Sequence, residues 1–171
     1  MFRSASAKAG LFAVALAGGC GGQAAGPASA GAPFDPLVFF AGRTAGEGEL
    51  KILFKAAQPI RVQGQGRVEP DGTLVLDQQV RRGDRPVERR QWRMRQLAPG
   101  RYRGTLTDAS GPVEIESKGS LLAIRYAMKG GMEVRQTLSL DRAGRTAANR
   151  MTISKFGVAV AHLNETIRKV D

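Results

Sequence analysis

One cysteine, one histidine, one tryptophan and two tyrosines are all that this 171-residue chain offers of four chemically useful side chains. A lone Cys cannot close an internal disulfide or build a thiolate metal site, and a lone His leaves no Cys/His or multi-His zinc constellation. Structural zinc is therefore excluded, and the sequence calls for no cofactor. No Gly-x-Ser-x-Gly elbow, phosphate-binding loop or dinucleotide fingerprint is present, which removes the common catalytic signatures. Acids are scarce as well. Against 26 Lys plus Arg stand 15 Asp plus Glu, a net charge of +11. Such an excess favours anionic partners, whether phosphate groups, membrane surfaces or amphiphile head groups. What is there, 42% hydrophobic and 24% charged residues, suits one globular domain and excludes a disordered or collagen-like chain.

The N-terminus reads as an address. Arg3 and Lys8 form a positive n-region and Leu11 to Ala17 a short apolar h-region, the pattern of a bacterial export signal over residues 1–19. The apolar run is too short to span a bilayer as a mature helix. Ala17-Gly18-Gly19-Cys20 resembles a lipobox, where cleavage leaves the cysteine thiol carrying a diacylglycerol; Leu16 falls one place earlier than the favoured Leu. The other reading is ordinary secretory cleavage after Ala28-Ser29-Ala30. Gly21 follows the cysteine and no Asp is present to hold a lipoprotein at the inner membrane, so an outer-membrane, periplasm-facing anchor is expected, with a soluble periplasmic protein as the alternative. Losing residues 1–19 removes Arg3 and Lys8 and no acid, so the chain stays strongly basic. Gly21 to Pro36, rich in Gly, Ala, Pro and Ser, reads as a flexible tether that makes 20–36 a linker. The folded domain is expected over 37–171.

From there the period is two. Leu50, Ile52 and Phe54 alternate with polar residues, as do Ile60, Val62, Gly64, Gly66 and Val68, and Leu74, Leu76, Gln78 and Val80. The pattern continues through Trp92 and Met94; Tyr102, Gly104 and Leu106; Val113 and Ile115; Leu122, Ile124, Tyr126 and Met128; Val134, Gln136, Leu138 and Leu140; and Met151 with Ile153. Alternation of this kind marks strands with one buried face. Turn signals separate the runs, among them Pro70-Asp71-Gly72, Pro99-Gly100, Lys118-Gly119-Ser120 and Gly130-Gly131. About ten strands with no convincing amphipathic helix predict an all-β antiparallel up-and-down meander that closes into a barrel, since closure removes the exposed edges. Gly64, Gly66 and Gly104 are expected at bulges or sharp bends.

Certain runs resemble a known family. Phe39-Phe40-Ala41-Gly42, Asp71 to Asp77, Arg90-Gln91-Trp92, Tyr102 to Asp108 and above all Asn149-Arg150-Met151-Thr152-Ile153-Ser154-Lys155-Phe156-Gly157-Val158 are similar to domain-of-unknown-function family 3833. The resemblance covers about 37–169. It implies a bacterial lipoprotein with a lipocalin-like (calycin) barrel and no established activity. The chain departs from the family at Gln78, where Glu is common, and at Val80, where an aromatic stands.

Inward parity also carries polar groups: Gln78, Arg90, Gln96, Asp108, Gln136, Asn149 and Lys155. A buried charge is costly unless paired. Arg90 and Lys155 can pair with Asp108 in a dry core, or hold the head group of an anionic amphiphile whose tail lies against Trp92, Tyr102, Leu106, Ile124 and Tyr126. Small barrels have room for one such ligand. Outward parity gathers Arg81, Arg82, Arg85, Arg89, Arg93, Arg95, Arg101 and Arg103 against only Asp84 and Glu88 nearby. This is a solvated sheet face or a patch for anionic envelope lipids and other polyanions. Export and the lack of interleaved aromatics argue against nucleic acid. His162 is expected near the barrel rim, not as a general base. The leading expectation is a non-enzymatic carrier of a small hydrophobic anion; the alternative is a structural or interaction module working through its Arg-rich face.

Overall fold

The structure is a computed structural model and describes residues 33–170. A single helical turn, α1 (Pro36–Phe39), precedes ten strands: β1 (Gly42–Ile52), β2 (Gln58–Val68), β3 (Leu74–Arg82), β4 (Glu88–Ala98), β5 (Arg101–Leu106), β6 (Val113–Lys118), β7 (Leu121–Met128), β8 (Met132–Leu140), β9 (Thr146–Lys155) and β10 (Val158–Val170). Every strand pairs antiparallel with its neighbours in the chain, and β1 pairs with β10 to close the barrel. The meander expected from the alternation is thus what the chain forms. Inward residues of one strand face inward residues of the next, as in Leu76 opposite Trp92 and Trp92 opposite Leu106. That is what a side-chain period of two requires when one face is buried.

The two ends of the barrel differ. At the end where β1 begins, α1 lies across the opening and seals it. Phe34 is 0% exposed, and the rings of Phe34, Phe39 and Phe40 stack edge-to-face at 5.1 and 4.9 Å. Asp35 caps the helix by accepting the Leu37 N–H at 2.9 Å. Ser117 Oγ and the Phe34 N–H tie the segment to the β6–β7 turn. Lys169 Nζ donates to the carbonyls of Val38, Phe39 and Ala41 at 3.1, 2.9 and 2.8 Å, fixing the plug to β10. A methyl group at Gly66 would overlap the Phe40 carbonyl oxygen, so glycine there lets the plug settle onto β2. The packed structure therefore takes in Phe34 and Pro36, which the composition had assigned to the tether: aromatic and ring side chains in a Gly/Ala-rich stretch have a core to enter. The export signal and Cys20 lie outside the described residues.

Three expectations from parity fail locally, at Phe54, Gln96 and Val68, the last 51% exposed where β2 ends. Phe54 is not inward. β1 ends at Ile52, and Phe54 sits in the following turn with φ of 60°, 96% exposed. Gln96 keeps its register opposite Tyr102 but is exposed near the end of β4, next to a slip between Gln96 and Ala98. The second slip lies at Ala159–Ala161. Neither is at a glycine: Gly64, Gly66 and Gly104 keep regular register and instead permit close approaches, such as that of the Arg93 carbonyl to Gly104.

Candidate functional site

Two packed zones fill the barrel. Next to the plug, Leu74, Ile115, Leu122 and Leu138 are almost wholly buried. Tyr102 belongs to this end, its hydroxyl 3.4 Å from Asp35 Oδ1; burial and the neighbouring Asp35 push its pKa upward. Leu106 packs in the same core and lines neither of the lumen hollows described below. Both were expected beside a ligand tail. Parity places a side chain inside the barrel but does not set its depth.

At mid-barrel the interior turns polar. Gln78 Oε1 accepts from Arg90 Nε and from Trp92 Nε1, both at 2.9 Å. Trp92 meets Tyr126 edge-on at 5.8 Å. Across the lumen, Asn149 Nδ2 donates to Glu165 Oε2 at 2.9 Å, while Asn149 Oδ1 is buried without a partner. Burial raises the Glu165 pKa, opposed by the Asn149 hydrogen bond and by Arg90. Burial likewise raises the Tyr126 phenol pKa, opposed by Arg90 and helped by Asp108. A cavity of about 40 Å³ lies among these groups, walled also by Ile124, Gln136 and Met151. Such a volume holds a few waters and not an alkyl chain.

Above it the barrel opens. A hollow of about 400 Å³ leads from Arg90 and Tyr126 to the rim, with Leu50, Ile60, Val80, Met128, Met151 and Leu163 among its walls. This is the size of a small-molecule site, with apolar walls, Arg90 at its base and Arg82, Glu88, Asp108 and Lys129 toward the rim. Its methionines, Met128, Met132 and Met151, can reshape around an occupant. Arg90 is half-buried, and among the described residues no carboxylate lies within ion-pairing distance of it. Of the groups expected to share its chemistry, Asp108 is exposed in the β5–β6 turn at the rim and lines the same hollow, without forming an ion pair with Arg90, and one stands elsewhere. Lys155 is exposed at the end of β9, its ammonium 5.6 Å from the Phe156 ring. At strand ends the inward parity no longer meets a closed interior. The fold does bring together Arg90, Trp92, Ile124, Tyr126 and Asn149.

Glu165 was missed in the sequence. The alternation Leu163, Glu165, Ile167 carries the signal, and a methyl group at Gly46 would overlap the Glu165 carboxylate, so a glycine on β1 makes room for it.

Outside the barrel, Arg81, Arg85, Arg89, Arg93, Arg95, Arg101 and Arg103 are exposed; Arg82, expected with them, shares the inward parity of Val80 and is instead half-buried in the wall of the mouth hollow, paired with Glu88. Acids temper this face: Arg93 reaches Glu69 at 2.7 Å, and Glu114 and Glu116 stand opposite Arg103 and Arg101. Arg95 and Arg103, by contrast, stand opposite each other. A wide, mostly polar groove of about 740 Å³ runs along β1 to β4 past Gln63, Asp77 and Arg89. His162 is exposed on β10, its Nδ1 3.2 Å from Thr152 Oγ1. Among the described residues no three His, Cys, Asp or Glu side chains gather as a metal site needs.

A closed ten-strand meander with a plugged end and an open, hollow mouth defines a lipocalin-like barrel. Comparison places it further: the model of the family "Protein of unknown function (DUF3833)" matches residues 14–169, and the chain belongs to that family. It matches no curated protein. Among solved structures it is similar to the S-type phycobiliprotein lyase CPES from Guillardia theta (TM-score 0.63, 6% identity, covering 79% of this chain and 90% of that one). It is also similar to Rv2717c from M. tuberculosis (0.61, 14%, 81% and 99%) and to a DUF3598-family protein of unknown function from Nostoc punctiforme (0.60, 13%, 85% and 53%). At such identities the likeness is one of fold.

Proposed function

We propose that this protein is an exported lipoprotein of the outer membrane, facing the periplasm and tethered through Cys20, that binds one small anionic amphiphile in the mouth of its barrel. The observation that carries the binding reading is Arg90: a half-buried guanidinium, held by Gln78, at the base of a hollow of about 400 Å³ and with no carboxylate in salt-bridge contact among the described residues. The ligand's carboxylate or phosphate sits on the free guanidinium edge beside the Tyr126 hydroxyl, and its apolar part lies against Leu50, Val80, Met151 and Leu163. This places the tail toward the rim, because the cavity beside Trp92 is too small for it. Binding without catalysis is supported by the outward position of the lone histidine.

Titration with a fluorescent fatty acid tests this. Arg90→Met should weaken saturable binding by about 1.5–3 kcal/mol, the range of a charged hydrogen bond, while the melting temperature stays near that of wild type. Absence of saturable binding in wild type refutes the reading. A second reading, contact with envelope polyanions through the Arg-rich face, is favoured by one observation: Arg95 and Arg103 face each other beside a hollow of about 470 Å³, an arrangement that an anion relieves. Loss of salt-sensitive lipopolysaccharide binding in Arg95→Gln/Arg103→Gln, with fatty-acid binding intact, distinguishes it.

A further inference from the structure

The apolar side chains most exposed on this barrel are aromatic, and they stand at the tips of hairpins around its open end. Phe54 is 96% and Phe156 85% exposed; Leu53 and Val158 beside them are also exposed. Both phenylalanines have positive φ, 60° and 49°, a region that side chains larger than Asn or Asp seldom occupy. Phe156 and Gly157 are the two central residues of the tight turn between the paired Lys155 and Val158, both with positive φ. Such a turn ordinarily favours Asn-Gly. A phenyl ring there is held outward where an asparagine fits more easily.

These tips adjoin. β1 pairs with β10, and the Leu53 N–H donates to the Val160 carbonyl at 2.8 Å, which joins the β1–β2 and β9–β10 hairpins. The β7–β8 turn lies alongside, with the Phe156 ring over Gly131. From Lys51 to Ala57, Met128 to Met132 and Lys155 to His162 the three hairpins carry Lys51, Lys55, Lys129 and Lys155 and no Asp or Glu, and all four lysines are exposed. The plugged end also exposes aliphatic residues, Val38, Val68 and Leu121, but its rings are buried; Asp84 and Asp108 lie in the other two turns of the open end, β3–β4 and β5–β6, away from the two phenylalanine tips.

We infer that this rim, Leu53, Phe54, Phe156 and Val158 ringed by Lys51, Lys55, Lys129 and Lys155, docks the open end of the barrel onto an anionic lipid bilayer. Projecting aromatic tips enter the interface while lysine ammonium groups reach the head-group phosphates. A second copy of the chain is disfavoured because it brings four lysines against four. The inference does not depend on ligand binding, but it sets the mouth hollow, whose wall includes Lys129, against the lipid surface.

The test uses the full chain carrying Cys20→Ala, so that no acyl anchor contributes, and Phe156→Trp as a reporter at the rim itself; the Trp92 signal of the chain without the reporter is subtracted. Vesicles of phosphatidylcholine with phosphatidylglycerol should shift the added indole's emission to the blue, and pure phosphatidylcholine vesicles should shift it much less. Phe54→Trp should report the same. Lys51→Gln/Lys55→Gln/Lys129→Gln/Lys155→Gln should weaken the shift's titration by at least about tenfold. An unshifted reporter on vesicles that carry the chain down on sedimentation overturns the inference, as does a blue shift that follows protein concentration in the absence of lipid. A chain that docks in this way yet takes up no fluorescent fatty acid keeps the docking surface and refutes the carrier reading alone.

Discussion

Replacing Glu165 with glutamine tests the interior of the barrel without changing its shape. The carboxylate is 8% exposed, takes one hydrogen bond from Asn149 at 2.9 Å, and forms no ion pair among the described residues. Burial therefore raises its pKa, with Asn149 and Arg90 offsetting only part of the effect. A carboxyl whose folded pKa lies above its unfolded value binds its proton more tightly when folded. Its contribution to stability is whole below the unfolded value of about 4.3 and is lost as pH rises through the raised folded value, at about 1.4 kcal/mol per unit of difference. Glutamine removes this loss. Its amide can also donate to Asn149 Oδ1, buried without a partner, a hydrogen bond worth about 0.5–1.5 kcal/mol. Together these predict that Glu165→Gln stabilises the fold by about 1–3 kcal/mol near neutral pH, with the gain shrinking toward the hydrogen-bond contribution alone near pH 4. Urea unfolding of both chains between about pH 4 and about pH 8 measures it. The difference between the two chains cancels the titration of the groups common to both and leaves that of Glu165. A difference that does not change with pH, or one that favours wild type at neutral pH, refutes the assignment.

Gly66→Ala sets a methyl group against the Phe40 carbonyl and should cost about 1–3 kcal/mol by overpacking, read as a lowered thermal midpoint with the plug's amides exchanging faster. Lys169→Met removes the donor shared by the Val38, Phe39 and Ala41 carbonyls and should cost about 1.5–3 kcal/mol; an unchanged urea midpoint means that water satisfies those carbonyls equally well. Cys20→Ala should move the protein from the membrane fraction to the soluble periplasm and abolish labelling by a palmitate analogue, and unchanged fractionation and labelling rule out the anchor.

What residue order determined by itself was the sheet. Alternation of apolar and polar side chains is a property of neighbouring residues, so Leu74, Leu76 and Val80, or Leu122, Ile124 and Tyr126, declare their face without reference to anything distant. Turn signals such as Lys118-Gly119-Ser120 divided the runs, and the cost of an unpaired edge closed them into a barrel. The same local rule put Arg90 and Trp92 on one inward face, where both reach Gln78.

Depth along the barrel is another matter, because it is set by which residues of distant strands come level and by what seals an end. Only the folded chain shows Phe34 entering the core and α1 closing one end, and with that Tyr102 becomes part of the plug while Asp108 and Lys155 fall at the opposite rim. Strand ends are decided likewise: Phe54 leaves the inward face because β1 stops at Ile52, and Gln96 lies exposed where the β4–β5 ladder nears its end. Glu165 obeys the alternation, yet a carboxylate invites an outward reading until Gly46 on the pairing strand is seen to vacate the space it fills. Periodicity is a nearest-neighbour property and survives in the bare sequence; a cavity is a property of many strands at once, and residues such as Arg90 and Glu165, 75 positions apart by number, share one only after the sheet has closed.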